Sequence, residues 1–191
     1  MPLLPHGRLP HLGWWIGLLL ACLAWPGPLW AAAPRSASES AVKAAFLHRF
    51  AGLVEWPAGS FRRAKDPLVI AVADQDAVAA ELERIAAARA ADARPLLVRR
   101  LREGEGVPEG AHVLMIGAGR ESRVRELAAA PGALLVVTEQ DNGHALGAVL
   151  NFVLDAGRVR FTASVPAAEA RGLRLSARLL AVAYSVEGHP R

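Results

Sequence analysis

One short turn has residue types that could bind an anion. Gly117-Ala118-Gly119 follows an apolar run and precedes a helical pattern that starts near Glu121. Backbone amides at the start of a helix attract phosphate, so the turn is a candidate anion site. The dinucleotide-binding fingerprint requires a third glycine, however, and Ser122 stands at that position. The simpler interpretation is a tight connection between a strand and a helix.

A second candidate is the acidic segment Asp74-Gln75-Asp76. It follows the first strongly apolar run, at the place where the carboxyl end of a strand would meet ligands in an open α/β sheet. Two carboxylates there could hold a divalent cation. The alternative is that one aspartate caps the next helix and the other is solvated.

The sequence contains no recognisable nucleophilic centre. His144 lies in the polar stretch 141–144, but Ser122, Ser164 and Ser176 are outside any Gly-x-Ser-x-Gly motif. The histidines show no His-x-x-x-His spacing typical of a zinc site. We therefore expect a protein that is not an enzyme and has no cofactor or resident metal.

The overall composition disfavours a nucleic-acid partner. The chain has 191 residues, a formal net charge of +4 and 53% hydrophobic residues, which suits one domain with a substantial core. Its arginines are scattered singly, and aromatic residues make up only 6% of the chain. Nucleic-acid-binding proteins instead concentrate basic charge on one face and stack bases on aromatic rings.

Residues 1–33 are predicted to be a cleaved export signal, which places the protein in the periplasm. The run from Leu12 to Trp25 is almost continuously apolar, a Pro-Gly-Pro break interrupts it, and Ala31-Ala32-Ala33 offers the small residues that a signal peptidase requires. The break comes too early for a membrane-spanning helix, which needs about 20 apolar residues. Cys22 follows a Leu-Leu-Ala box, so a lipid-anchored form is the alternative.

Residues 34–40 are predicted to be a linker, and residues 41–187 a single domain that opens with a helix. Apolar residues recur with helical spacing at Val42, Ala45, Phe46, Phe50, Leu53 and Val54. Ser38 or Ser40 would cap this helix, with Glu39 in its first turn. Pro57 would end it and leave Trp56 at its end, because proline has no amide proton.

The middle of the domain alternates predicted strands and helices. Runs with strand composition lie at 68–73, 94–100, 112–116 and 133–138. A helix ending near Ala90 and another over 121–130 separate them. This order predicts a parallel sheet with helices on its faces. Pro95 and the neighbouring arginines place the second strand near an edge of the sheet.

The last third of the chain predicts a hairpin and a closing helix. Ala148–Leu154 and Arg158–Ser164 read as two strands joined at Asp155-Ala156-Gly157. A short helix over Pro166–Ala170 would follow. An apolar stripe beginning at Leu173 then predicts a final helix that ends near Tyr184.

With these elements in place, the chain resembles the YfiR-like family of exported bacterial proteins. The resemblance lies in four blocks: Lys43–Leu47 with Phe50-Ala51 and Val54–Pro57; His112–Ile116; Gly147–Phe152 with Arg158–Phe161; and Gly172–Ser176 with Leu179-Leu180. Together they span Val42 to about Val186. The Glu-Trp-Pro ending and the Asn-Phe/Arg-Phe hairpin are the most specific combination.

The resemblance implies a Rossmann-like fold and a regulatory role. It implies binding to the periplasmic sensor domain of an inner-membrane diguanylate cyclase, which would repress the cyclase, lower cyclic di-GMP and limit biofilm growth. A membrane sensor kinase is the alternative partner. The alternative function is a small-molecule-binding accessory protein of a sensor kinase or transport system. The membrane would be contacted only through the partner, and a homodimer is left open.

Partner binding of this kind requires an exposed apolar patch. Candidate contact residues lie near Pro57, in the polar stretch after the fourth strand, and in the hairpin: Glu55, Trp56, Phe61, Asn142, His144, Leu146, Asn151 and Arg160. For Phe46, Phe50 and Leu53 the simpler expectation is core packing. Arg160 could meet an acidic partner surface or lie on a solvated strand face.

Overall fold

The computed structural model of the protein describes residues 35–63, 65–88 and 94–188. The predicted export signal, including Cys22, lies outside the described residues. None of the described helices is long and apolar enough to cross a lipid bilayer.

The described part of the chain alternates strands and helices. Its elements, in chain order, are α1 (Arg35–Phe50), β1 (Val54–Glu55), β2 (Leu68–Ala73), α2 (Asp76–Ala87), β3 (Leu96–Leu101), β4 (Val113–Ile116), α3 (Glu121–Ala128), β5 (Leu135–Thr138), a 3₁₀ turn (Gly143–Leu146), β6 (Leu150–Asp155), β7 (Arg158–Ser164), α4 (Val165–Glu169), β8 (Arg174–Leu175), α5 (Ala177–Val182) and β9 (Ser185–Glu187).

A seven-stranded sheet with the order β3-β2-β4-β5-β6-β7-β9 forms the centre of the fold. Strands β3, β2, β4, β5 and β6 are parallel, β7 is antiparallel to β6, and β9 runs parallel to β7. β1 and β8 form a separate antiparallel pair. The predicted α/β class, a Rossmann-like and mostly parallel sheet flanked by helices, is confirmed.

The sheet has a core on each face because alternate strand residues point to opposite sides. Ile70 and Val72 belong to the first core, under α1 and α2. Ala71 and Ala73 belong to the second, under α3. β2 is apolar throughout because both of its faces are covered, as expected of a central parallel strand.

Four phenylalanines fasten α1 to the hairpin end of the sheet. Phe46 and Phe50 stack with their ring centroids 5.6 Å apart, and Phe50 meets Phe161 edge-on at 4.7 Å. Phe152 lies 6.0 Å from Phe50. The expectation of core packing for Phe50 is confirmed, since its side chain is only 1% exposed.

The prediction that one helix runs to Pro57 is wrong. α1 begins at Arg35, inside the predicted linker, so Ser40 lies within the helix and does not cap it. The helix ends at Phe50, and a turn leads to β1, where Val54 pairs with Leu175 of β8. A long-range strand pair therefore outweighs the local helical spacing.

The predicted closing helix is confirmed as α5, but it is shorter than the sequence pattern indicates. The apolar stripe that begins at Leu173 is divided between β8 and the six-residue α5, and β9 follows the helix. Ser176 caps α5 by accepting a hydrogen bond from the Leu179 amide. The predicted hairpin at Asp155-Ala156-Gly157 is confirmed, with positive φ angles at Ala156 and Gly157 that suit a tight two-residue turn.

Candidate functional site

The order of the strands reverses direction between β2 and β4. From β2 the chain crosses first to β3 on one side and later to β4 on the other. In open α/β sheets, ligands bind outside the carboxyl ends of the strands at such a reversal. The segments that leave the strands here begin with Asp74, Gly117 and Glu139.

A polar cluster of Glu39, Lys43, Gln75 and Glu139 closes this end of the sheet. The Lys43 ammonium donates to Glu139 and, at 2.5 Å, to Glu39. The Gln75 amide donates to Glu139, as does the backbone N–H of Ala118 at 3.1 Å. The side chains of Lys43 and Glu139 are only 8% and 11% exposed. Glu139 is therefore the acceptor around which the cluster is organised.

Two opposing effects act on the pKa of Lys43. Burial disfavours the charged ammonium and lowers the pKa, whereas the hydrogen bonds and negative charges of Glu139 and Glu39 raise it. The carboxylates prevail, and the pKa of Lys43 is raised above its usual value. Lys43 is thus a permanent cation at neutral pH.

The predicted anion-binding turn is already engaged by the protein itself. The Ala118 amide is bonded to Glu139, and the Gly119 amide donates to the Gln140 side chain at 3.1 Å. Gly117 serves close packing, because an added Cβ would lie 2.3 Å from the Asp74 carbonyl oxygen. The amides of the glycine-rich turn therefore bind the side chains of Glu139 and Gln140, which directly follow β5.

An open cleft of about 520 Å³ lies beside the polar cluster. It is lined by Glu39 and Lys43 from α1, by Gln75, by residues 139–141 after β5, and by residues 151–154 of β6. Asn151, one of the lining residues, has a buried Oδ1 without a hydrogen-bond partner in the described part of the chain. This cleft, hereafter the carboxyl-end cleft, has the size of a ligand site.

The opposite end of the strands is closed by the amino-end stack, which consists of Trp56, Phe61, Arg94 and His112. The Phe61 and His112 rings stack with centroids 4.2 Å apart, and the Arg94 guanidinium lies 4.1 Å from the Phe61 centroid. His112 Nδ1 accepts a hydrogen bond from the Val69 amide at 3.2 Å. Its Nε2 donates to the Ser60 carbonyl at 2.9 Å, so both ring nitrogens are engaged.

Comparison with known families decides where this chain belongs. The YfiR/HmsC-like family matches it over residues 40–184. The chain belongs to the YfiR/HmsC-like family. Membership implies a periplasmic regulator of cyclic di-GMP signalling that interacts with a periplasmic domain of a membrane protein. A comparison with curated proteins found no match.

In this YfiR/HmsC-like domain, three predicted contact residues, Glu55, Trp56 and Phe61, lie near the amino end of the sheet. Trp56 is half-buried, and its indole N–H donates to the Ala51 carbonyl at 3.0 Å. It meets Phe61 edge-on with centroids 6.0 Å apart. Glu55, on β1, is exposed and lies 3.9 Å from Arg174. Trp56 thus ties the end of α1 to the amino-end stack.

The predicted contact residues in the loop between β5 and β6 do not converge on one surface. Asn142 is exposed and donates to Glu121 at 3.0 Å. His144 is half-buried: its Nδ1 donates to the Ala148 carbonyl at 2.9 Å, and its Nε2 contacts the Thr162 hydroxyl at 2.7 Å. Leu146 is only 3% exposed and packs in the second core, which corrects the expectation that it contributes to an exposed patch.

The two predicted contact residues of the hairpin, Asn151 and Arg160, lie in different surroundings. Asn151 is buried and lines the carboxyl-end cleft. Arg160 is half-buried, with its guanidinium 5.5 Å from the centroid of the exposed Tyr184 ring. Asn151 therefore borders the cleft, whereas Arg160 covers a ring near the end of the domain.

The acidic segment after β2 does not have the predicted capping role. Gln75 occupies the N-cap position of α2, and no side-chain hydrogen bond caps the helix. Asp76 is the first helical residue and lies 3.2 Å from Arg100. Asp74 is exposed and has a φ of 57°. Within the described ranges, no three His, Cys, Asp or Glu side chains converge as a metal site requires.

Sequence reasoning missed Lys43 and Glu139 as site residues. Lys43 lies on the apolar side of α1, four residues after Glu39, a spacing that favours an ion pair within a helix. Glu139 directly follows the apolar strand β5, where a buried carboxylate needs a cation. The available signal was therefore a charged residue next to apolar residues in both places: Lys43 on the apolar side of α1, and Glu139 directly after the apolar strand β5.

Proposed function

We propose that the protein is an exported, non-enzymatic regulator that binds the periplasmic sensor domain of a membrane diguanylate cyclase and represses it. Repression would lower cyclic di-GMP in the cytoplasm and limit biofilm growth. Residues 1–33 would direct export and be removed, and residues 41–187 would form the regulatory domain. The observation that carries the proposal is membership of the YfiR/HmsC-like family over residues 40–184.

The chemistry at the strand reversal supports a role in binding. The ionisable groups of the polar cluster are bonded to one another: Lys43 binds Glu39 and Glu139, and Glu139 also accepts from Gln75 and the Ala118 amide. A bound regulator acts by its different affinity for two conformations of its partner, which requires no reactive group.

We further propose that the contact surface includes Glu55, which is exposed on the small β1–β8 sheet. Trp56 and Phe61 would support this surface through the amino-end stack. Charge reversal by Glu55→Arg is expected to weaken binding to the sensor domain about tenfold, because like charges at an interface cost binding energy. The matched control is Glu109→Arg, at another exposed glutamate, in the loop before β4.

The decisive experiment measures cyclic di-GMP in cells that lack the protein. Deletion is expected to raise the concentration of cyclic di-GMP several-fold. Expression of the full chain should return it to the lower wild-type level. The matched control is the chain without residues 2–33, which should stay in the cytosol and fail to restore it. Unchanged cyclic di-GMP after deletion would refute the proposal, as would full restoration by the control.

A second candidate function is small-molecule binding, which the carboxyl-end cleft of about 520 Å³ favours. A ligand that binds only the folded state raises its melting temperature, and the stabilisation grows with the logarithm of the ligand concentration above Kd. Screening metabolites by thermal shift would test this, with Asp141→Asn at the cleft as the matched variant. A ligand whose stabilisation is equal in both proteins would have to bind elsewhere.

A further inference from the structure

Strand β6 is longer than its neighbour β5, and this leaves part of its edge free. β5 pairs with β6 only at Val137↔Leu150 and Thr138↔Asn151. On its other side β6 is paired with β7 along its whole length, from Leu150 to Asp155. Residues 152–155, hereafter the β6 overhang, therefore have a strand on one side only, among the residues that the structure describes.

The register of the hairpin fixes which backbone groups point to the free side. The Ser164 amide donates to the Val149 carbonyl, and antiparallel ladders alternate from one residue to the next. Val153 and Asp155 consequently direct their N–H and C=O groups toward β7. Leu154 directs both of its groups the other way, and within the described residues neither has a hydrogen-bond partner.

The overhang forms one wall of the carboxyl-end cleft. Among the described residues that line this cleft, three have carboxylates, Glu39, Glu139 and Asp141, and one has an ammonium, Lys43. Lys43 is already bonded to two of them. The cleft thus has a net charge of −2 in a chain whose formal net charge is +4.

The other two edges of the large sheet are less suited to pairing. β3 follows Pro95 and carries the exposed Arg99 and Arg100, features that discourage a further strand. β9 has only three residues. By contrast, the overhang carries Leu154, which is 60% exposed, and Asp141 is the exposed carboxylate in the cleft beside it.

We propose that the β6 overhang receives an extended segment of the partner protein as an added short strand. The segment carries an arginine or lysine that meets the carboxylates of Glu39 and Asp141, and an apolar side chain that covers Leu154. Strand addition of this kind draws affinity from backbone hydrogen bonds and specificity from the side-chain pockets. The identity of the partner rests on the proposed function.

The test uses a substitution that removes one backbone donor and little else. Leu154→Pro eliminates the free N–H without breaking the β6–β7 ladder, because that N–H is not part of it. Leu154→Ala keeps the N–H and removes the exposed side chain. The probes are two fluorescent pentapeptides, acetyl-Thr-Val-Arg-Val-Thr-amide and its counterpart with glutamate in place of arginine.

Binding is measured by fluorescence anisotropy on protein purified from cells that express the full chain. The alanine variant should bind the arginine peptide about threefold more weakly than wild type, because it loses the contact over Leu154 but keeps the N–H. The proline variant should bind at least about tenfold more weakly than the alanine variant. The glutamate peptide should bind wild type about tenfold more weakly than the arginine peptide. If wild type binds neither peptide, or the proline variant binds normally, the proposal is refuted.

Two controls separate misfolding and self-association from loss of the site. If Leu154→Pro lowers the melting temperature, a peptide methylated on its backbone nitrogens replaces the variant and should lose the same affinity for wild type. Sedimentation of the protein without peptide tests whether a second copy of the chain occupies the overhang instead. A dimer that Leu154→Pro converts to monomer would assign the overhang to a second copy and overturn the proposal.

Measurements in cells distinguish this proposal from the proposed function. If deletion raises cyclic di-GMP and expression of the Leu154→Pro variant returns it fully to the wild-type level, the overhang is not the docking site, although the regulatory role stands. If deletion has no effect while peptide binding still depends on the Leu154 N–H, the strand-addition site stands and the regulatory role fails.

Discussion

The two ends of the central sheet are closed by different chemistry. At the carboxyl end, Lys43 and Glu139 form a nearly buried ion pair that also holds Gln75. At the amino end, the Phe61 ring stacks on His112, and neutral hydrogen bonds fix the imidazole between Val69 and Ser60. One end depends on paired charges and the other on ring packing.

This difference determines how each end responds to a lost side chain. An ion pair out of water stabilises only while both partners are present, because an unpaired charge there is costly. A stack of rings loses stability in smaller and more independent steps. The cleft also lies at the carboxyl end. There β6 continues past β5, and the polar cluster beside it is held together by its own ion pairs.

The largest expected effect is at the carboxyl end. Lys43→Met leaves the Glu139 carboxylate without its cation and should lower the free energy of unfolding by about 3 kcal/mol. Urea unfolding measures it. The double variant Lys43→Met/Glu139→Gln removes both charges and should recover most of the loss. If the double variant is no more stable than the single one, the charges are not what holds this end.

A smaller loss is expected from Gly117→Ala at the same end. The added Cβ would lie 2.3 Å from a backbone oxygen of Asp74, so the turn must shift, at a cost of about 2 kcal/mol. Gly119→Ala is the matched control, since its Cβ would meet nothing within 4 Å. Equal melting temperatures for the two variants would contradict the packing role of Gly117.

At the amino end, His112→Ala should cost about 1.5 kcal/mol, because it removes two hydrogen bonds and the ring under Phe61. His112→Asn supplies an acceptor for the Val69 amide and should lose less. A loss for His112→Ala larger than that for Lys43→Met would reverse the comparison between the two ends.

The smallest effect concerns alkaline pH. The raised pKa means that the folded protein holds the Lys43 proton more tightly than the unfolded chain does. Its stabilisation is therefore complete below the usual lysine pKa of about 10.4 and is lost as pH rises through the higher folded value. The stability difference between wild type and Lys43→Met should stay constant from about pH 7 to about pH 9 and shrink above it. A difference that already shrinks below pH 9 would contradict the raised pKa.

The sequence predicts the strands of the parallel sheet well and the short elements poorly. β2 lies at the predicted residues Leu68–Ala73 because a strand covered on both faces is apolar throughout. β1 and β8 have only two residues each and exist through their mutual pairing, so no local pattern marks them. The cleft is hidden for the same reason, since Lys43 and Glu139 are 96 residues apart and meet only through the fold.

The bond from Glu139 to the Ala118 amide has a consequence for soluble anions. The carboxylate is tethered to the chain, so any phosphate or nucleotide must compete with an acceptor whose effective local concentration is in the millimolar range or above. An anion that displaced the Glu139 carboxylate would also leave Lys43 and Gln75 without the acceptor that they share. The glycine-rich turn before α3, a place where enzymes of this architecture bind a diffusing substrate, is here bound by the protein's own side chains. A change in anion concentration should therefore leave it unchanged.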